Sequence, residues 1–272
     1  MTELGRAFKP ETIDEDAVRR MVSVLDRQDA LPSIQRLRAW ALERAAVRPG
    51  ERAVDVGSGT GTMARRLAAA VGPGGEAVGV EPNGMLRGVA EERAAAEGSA
   101  AVFCQGLATG IPLPDASADV VWCERVLQHL PDPQAAIGEM TRVLRPGGRA
   151  LLLDSDHGSR VDSDIEPRVA HAISAAFMGQ LANPVAARHV PRQAMAAGLE
   201  VDADVGSSAL VFPQAMLHES PLLRLAADQA VADGTITREE ADRAVRDQSD
   251  AAHHHWAFSA VTVFAFVCRR PG

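Results

Sequence analysis

The chain has 272 residues, 46% hydrophobic and 24% charged, with a formal net charge of -8. That composition fits one large globular domain, or one domain with an insertion, and no apolar run approaches the ~18 residues of a membrane span. The acidic balance and the lack of any Lys/Arg-rich run argue against nucleic acid or an anionic membrane as partner.

The three cysteines, Cys104, Cys123 and Cys268, offer neither a disulfide framework nor a zinc spacing. They read as small buried hydrophobes in a reducing cytoplasm. The start, Met1 to Asp16, is charged and has no apolar h-region, so no secretory signal is expected.

Residues 12–46 carry two stripes at helical spacing, Val18, Met21, Val22, Leu25 and then Ile34, Leu37, Ala41, Leu42, with Pro32 starting the second helix. After Pro49-Gly50, strand and helix alternate. Strands are expected at Ala53–Val56, Ala77–Val80, Ala101–Cys104, Asp119–Cys123 and Ala150–Leu153. Helices are expected at Met63–Val71, Met85–Glu97 and Ala135–Leu144. Strands apolar throughout and separated by helices predict a parallel sheet covered on both faces. Further on, helices near Glu166–Gln180 and Pro191–Ala197 lead to a strand near Leu199–Val205. Residues 208–257 read as helical, with a capping box at Thr237-Arg238-Glu239-Glu240, and Phe258–Val267 reads as a final strand. The expected divisions are an N-terminal helical cap (1–48), an α/β core (49–207), a helical insertion or lid (208–257) and the last core strand (258–272).

Val54-Asp55-Val56-Gly57-Ser58-Gly59-Thr60-Gly61 sits where the first strand turns into a helix, a place where backbone N–H groups meet a ligand. A P-loop would need a Lys and a Ser/Thr after its second Gly, and neither is present. A dinucleotide fingerprint would need Gly or Ala where Thr62 stands. The remaining reading is an Asp-x-Gly-x-Gly-x-Gly loop. Glu81, at the end of the second strand, is suitably placed to accept hydrogen bonds from both hydroxyls of a ribose.

Residues 50–155 resemble the core of class I S-adenosylmethionine-dependent methyltransferases, in the family of ubiquinone/menaquinone-type and natural-product small-molecule enzymes. The resemblance is carried by VDVGSGTG (54–61), GVEPNGML (79–86), FCQGLATGIPLPDASADVVWCERVLQHLPDP (103–133) and EMTRVLRPGGRALLLD (139–154). It implies an α/β, Rossmann-like, seven-stranded sheet whose last strand is antiparallel, and S-adenosyl-L-methionine as cofactor. It also implies that Gly57, Ser58, Gly59 and Gly61 approach the methionine end, with Asp55 orienting the loop or meeting the amino group. Glu81 would hold the ribose, with Pro82 and Met85 beside ribose and adenine. Gly106, Leu107 and Ala108 would line the adenine, and Glu124, Arg125 and Val126 would pass under the methionine. The family usually has Asp where Leu107 stands, so one adenine contact worth about 1 kcal/mol is expected to be missing.

A base is needed only if the methyl acceptor arrives protonated. His129, on the segment after strand four, is the first candidate, followed by Asp154 after strand five and His254 within His253-His254-His255. Asp154, Asp156 and His157 follow strand five, where an acid beside a His could tune a base; they are too few and too close in sequence for a metal site, so none is expected. Met21, Leu25, Leu31, Trp40, Phe212, Met216, Leu217, Leu222 and Leu223 are expected to line an apolar acceptor cavity between cap and insertion. The expected function is methylation of a small, largely apolar molecule in specialised metabolism, on oxygen or nitrogen before carbon, by a monomer or homodimer. The alternatives keep the fold and cofactor without methylating: a natural-product cyclase, or a cofactor-binding regulator.

Overall fold

The computed structural model describes residues 15–218 and 220–272. The expectation that the chain starts without a secretory signal falls almost wholly on residues 1–14, outside that range.

Two helices lead in: α1 (Glu15–Asp29) and α2 (Pro32–Ala45). Leu31 is extended, as a residue before proline prefers, and Pro32 opens α2 without losing a needed N–H. The core then alternates: β1 (Arg52–Val56), α3 (Thr62–Val71), β2 (Glu76–Val80), α4 (Gly84–Glu97), β3 (Val102–Cys104), β4 (Ala118–Glu124). A 3-10 turn (Leu127–His129), α5 (Pro133–Val143) and β5 (Leu144–Asp162) follow. The second half comprises α6 (Pro167–Met178), α7 (Ala186–Ala196), β6 (Glu200–Val201), β7 (Gly206–Val211), α8 (Gln214–His218), α9 (Pro221–Ala232), α10 (Arg238–His253) and β8 (Ser259–Arg269).

The strand order is β3-β2-β1-β4-β5-β8-β6, parallel as far as β5, with β8 antiparallel to β5. β6 and β7 both pair with the far edge of β8, at Glu200↔Arg269 and Gly206↔Ala265, so eight strands occupy seven positions. Side chains alternate across the sheet with period two. Val121, Cys123 and Leu152 pack with Met140 of α5 and Val190 of α7. On the other face, Trp122, Leu151 and Leu153 pack with Ile34 and Leu37 of α2 and Leu67 of α3. The mixed Rossmann-like sheet and the N-terminal helices match the sequence-based expectation.

The second half departs from it in three places. Residues 208–211 belong to strand β7, not to a helix; Leu210 is buried beside Val261 and Val263, because the long edge of β8 needs a partner. α7 starts at Ala186 and carries Pro191 inside it. Burial of Ala187, Val190 and Ala194 on one face outweighs the one hydrogen bond that the proline forfeits. β5 runs on past Leu153 to Asp162, a polar stretch held by pairing with β8 rather than by apolar burial.

The extended β5 and β8 carry the insertion at their end. α6, α9 and α10 form their own cluster around Val169, Ile173, Leu223, Ala227 and Ala244, and Thr237 and Glu240 make the expected capping box. The expected apolar cavity is corrected by this packing. Leu31 and Trp40 belong to the sheet core, Leu217 packs with Ala251 and Ala257, and Leu223 belongs to the insertion cluster. No helix among the described residues is long and apolar enough to cross a membrane.

Leu151 is fully buried at the centre of this arrangement. Leu151→Ala is expected to lower unfolding free energy by about 2–5 kcal/mol in urea titration, whereas Leu222→Ala, at a 46% exposed position, should change it by less than about 0.5 kcal/mol.

Candidate functional site

The loop after β1 is tightly seated. Gly57 and Gly61 have φ of +74° and +78°, a region open to glycine at little cost. A Cβ on Gly57 would lie 2.4 Å from Val126 Cγ2, and one on Gly61 would lie 2.7 Å from the Phe103 ring. Gly57 and Ser58 donate their N–H groups to the Val80 carbonyl at 2.8 and 3.1 Å. Glu81 joins loop and second strand: Oε2 accepts from Gly59 N–H at 2.8 Å and Oε1 from Asn83 N–H at 2.9 Å. Burial pushes the Glu81 carboxyl pKa up, against those two N–H groups and nearby Arg87. Asn83 in turn caps α4, accepting from Met85 and Leu86 N–H.

Beside the loop lies a buried ionic group that the sequence reading missed. Arg38 of α2, 4% exposed, donates Nε–H to Glu124 Oε2 and Nη2–H to Asp29 Oδ1, both at 2.7 Å. Burial works against its charge, but the Glu124 and Asp29 carboxylates prevail and raise its pKa further. Asp55, also buried, is pushed up to about 7 by desolvation and then by Glu124, with Arg38 and the Ala64 N–H acting against them. Arg125 has a φ of +55°, donates its own N–H to Leu153 O at 2.7 Å, and reaches Gln28 of α1 with its guanidinium. One signal for Arg38 was available: it falls four residues after Ile34, on the apolar stripe of its helix.

Three polar atoms around this loop are buried without a hydrogen-bond partner among the described residues: Arg38 Nη1, Arg125 Nε, which faces Glu124 Oε1 at 3.6 Å, and Ser58 Oγ. Leu25 of α1 lies over the loop, with Cδ1 3.6 Å from where a Gly59 Cβ would be. On the other side, Pro82 is half-buried and Met85 exposed at the start of α4. A Cβ on Gly106 would lie 2.6 Å from Pro112, Leu107 is 55% exposed, and Ala108 is buried. All fourteen residues expected at the cofactor therefore surround the carboxyl ends of β1, β2, β3 and β4.

The three candidate bases are not brought together. Asp154 is fully enclosed and accepts from the N–H groups of Ser155 (2.8 Å), Gln128 (3.2 Å) and Leu127. Burial pushes its pKa up to about 7, and its oxygens are spent holding the turn after β4, so it props that turn rather than facing an acceptor. His254 is exposed and stacks on Trp256 with ring centroids 4.6 Å apart. It follows α10 at the far end of the extended β5–β8 pair, where Ser259 pairs with Asp162; from Ser259 to Phe264, the partner of Asp154, β8 runs five residues, about 17 Å at ~3.3 Å per residue. His254 and its two neighbours thus lie outside the site.

His129 stays at the carboxyl end of β4, joined by Gln128, which the sequence did not single out, and by His157. Gln128 Oε1 lies 2.9 Å from His157 Nε2, and Gln128 Nε2 lies 3.1 Å from His129 Nε2. Desolvation lowers both imidazole pKa values to about 4, aided by His157 and Arg125 at His129 and by Arg160 at His157, where Asp156 opposes. Among the described residues no cluster of ligands could hold a metal ion.

These groups oppose one another in pH dependence. As pH falls from about 6.5 towards 4, the unfolded chain takes up protons that native His129 and His157 refuse, so stability is lost. Over roughly pH 4 to 7 the raised Asp55 and Asp154 act in reverse, favouring the native state at the acid end. His157→Asn removes one of the histidine contributions. Its stability relative to the parent is expected to rise by up to about 1.4 kcal/mol per pH unit as pH drops from 6.5 to 4, read by urea unfolding at several pH values.

Residues 54–152 match a family model described as "Methyltransferase domain". An uncharacterized 37.1 kDa protein in transposon Tn4556 of Streptomyces fradiae is 34% identical over 199 residues, 72% of this chain and 55% of that protein. The ubiquinone/menaquinone biosynthesis C-methyltransferase UbiE of Ectopseudomonas mendocina is 38% identical over 117 residues, 42% of this chain and 46% of that enzyme. The chain thus spans about half the length of these relatives. Among solved structures, the YcgJ protein of Bacillus subtilis superposes with a TM-score of 0.58 at 18% identity, covering 88% of this chain and 99% of that one. The [4+2]-cyclase SpnF does so with a TM-score of 0.55 at 23% identity, covering 88% and 82%. Sequence and fold agree: residues 54–152 are a methyltransferase domain set in a Rossmann-like sheet.

Proposed function

We propose that the protein transfers a methyl group from S-adenosylmethionine to a small, largely apolar acceptor, on oxygen or nitrogen before carbon. The observation that carries this reading is a glycine loop held by Glu81, with the buried Arg38 Nη1 and Ser58 Oγ beside it lacking a hydrogen bond among the described residues. Buried donors without partners are rare in native proteins, and a ligand with a carboxylate fits them. Arg38 Nη1 and Ser58 Oγ suit the carboxylate of the methionine part, and Asp55 and Glu124 suit its ammonium. Glu81 has lone pairs beyond the two that bind N–H groups, which suits ribose hydroxyls. Leu107 and Ala108 offer an apolar rest for adenine.

When bound, the cofactor supplies an electrophilic methyl on a sulfonium, and its displacement leaves a neutral thioether. The protein's part is largely positioning, which can supply roughly 7–11 kcal/mol. Leu25 over the loop would shield the methionine end from water, and the turn at Leu127–His129, which follows β4, is where the acceptor would meet the protein.

Calorimetry with S-adenosylhomocysteine should show binding that Glu81→Ala weakens by roughly 1.5–3 kcal/mol, about 10- to 150-fold. Unchanged affinity would remove Glu81 from the site. Leu107→Asp supplies the adenine acceptor that this chain lacks and is expected to tighten binding by about 1 kcal/mol in the same titration. Formation of S-adenosylhomocysteine with a panel of phenols, hydroxyls and amines tests the reaction. Binding without turnover on any acceptor would favour a non-methylating enzyme or regulator.

A further inference from the structure

Gln128 is held from several sides. Its N–H donates to Asp154 Oδ2 at 3.2 Å, its carbonyl accepts from Asn183 N–H at 3.0 Å, and its side chain lies between two imidazoles. The side-chain amide has one allowed orientation. The Arg125 carbonyl, 3.4 Å from Gln128 Nε2, can only accept, so the NH2 end must face it. The same NH2 faces His129 Nε2 at 3.1 Å, which makes that nitrogen an acceptor and puts the ring proton of His129 on Nδ1. The amide oxygen faces His157 Nε2 at 2.9 Å, which makes that nitrogen a donor. His157 therefore keeps its lone pair on Nδ1, to which no described residue hydrogen-bonds, with the Phe177 ring edge-on at 5.3 Å.

We propose that Gln128 is a positioning residue that locks the two imidazoles in opposite neutral tautomers, and that His157 Nδ1, not His129, takes the proton from the methyl acceptor. This rests on the reading of the site as a methyltransferase. The acceptor's O–H or N–H bond breaks, its electron pair stays on oxygen or nitrogen as the nucleophilic pair, and the proton bonds to Nδ1. The resulting imidazolium releases that proton to solvent. His129 cannot serve in this arrangement, since its basic nitrogen already holds the Gln128 N–H.

The tautomers are read directly by long-range 1H–15N correlation on the 15N-labelled full chain at pH 7.5, with His129→Asn and His157→Asn assigning the signals. The parent should show His157 protonated on Nε2 and His129 on Nδ1. Gln128→Glu turns the donor facing His129 into an acceptor, so His129 should switch to the Nε2–H form while His157 stays as it was. Gln128→Leu should leave both rings as tautomer mixtures. Should that variant not fold, the parent and Gln128→Glu spectra decide the matter alone. A parent His157 protonated on Nδ1, or a His129 tautomer indifferent to Gln128→Glu, overturns the lock. With a turned-over acceptor, His157→Asn should lower kcat roughly 100- to 10,000-fold and His129→Asn far less. Equal losses would overturn the assignment of the base. Absence of turnover on every acceptor would instead count against the methyltransferase reading, and the spectra would still judge the tautomer lock.

Discussion

A single buried guanidinium ties the amino-terminal helices to the catalytic end of the sheet. Arg38 bridges Asp29, at the end of α1, and Glu124, at the end of β4, with almost no contact with water. Removing one partner of such a pair commonly costs about 3–5 kcal/mol, because the remaining charge stays buried and uncompensated. The arrangement therefore fixes where α1 lies, and with it Leu25 over the glycine loop and Gln28 beside Arg125. A second tether, Arg93 to Asp26 at 2.6 and 2.9 Å, holds the same helix to α4. The cover over the glycine loop is thus positioned by charge pairing, and its apolar contact follows.

The turn after β4 is built differently. Asp154 is a carboxylate with no cationic partner in contact, enclosed under the turn after β4 and satisfied by three backbone N–H groups. It holds Leu127 and Gln128 in place, while Arg125 just before them adopts a left-handed conformation that costs a residue with a side chain of the order of 1 kcal/mol. Strain at one residue and a buried acid beneath the next few are compatible because each fixes the same turn. The imidazoles of His129 and His157 inherit their orientation from it through Gln128.

The insertion has a core of its own and meets this region through Phe177 of α6, edge-on to His157. It sits on the end of an unusually long β5–β8 pair, stabilised by its own apolar cluster and by the Arg160–Asp162–Ser259 contacts at the end of the strands. Length of the paired strands, rather than packing onto the cap, sets its distance from the glycine loop. That is why His254, carried at the end of α10, lies far from the turn after β4.

Much of this was legible in the residues. The glycine spacing at 57–61, Glu81 at the end of an apolar strand, and the alternation of buried strands with amphipathic helices depend on local geometry and on period, which sequence states directly. Pro32 as a helix start and the Thr237 capping box are local for the same reason. Tertiary structure alone decided the rest. Polar residues such as those at 154–162 become a strand only because β8 lies alongside, and residues 208–211 become one because the far edge of β8 needs hydrogen bonds. The choice among the candidate bases turned on burial and reach, properties of distance in space: Asp154 is enclosed, His254 is remote, and Gln128 and His157, 29 residues apart in the chain, meet at 2.9 Å. Hydrogen-bond partners so far apart in sequence leave no period to read, so the link of the two imidazoles through Gln128 could be found only once the chain was folded.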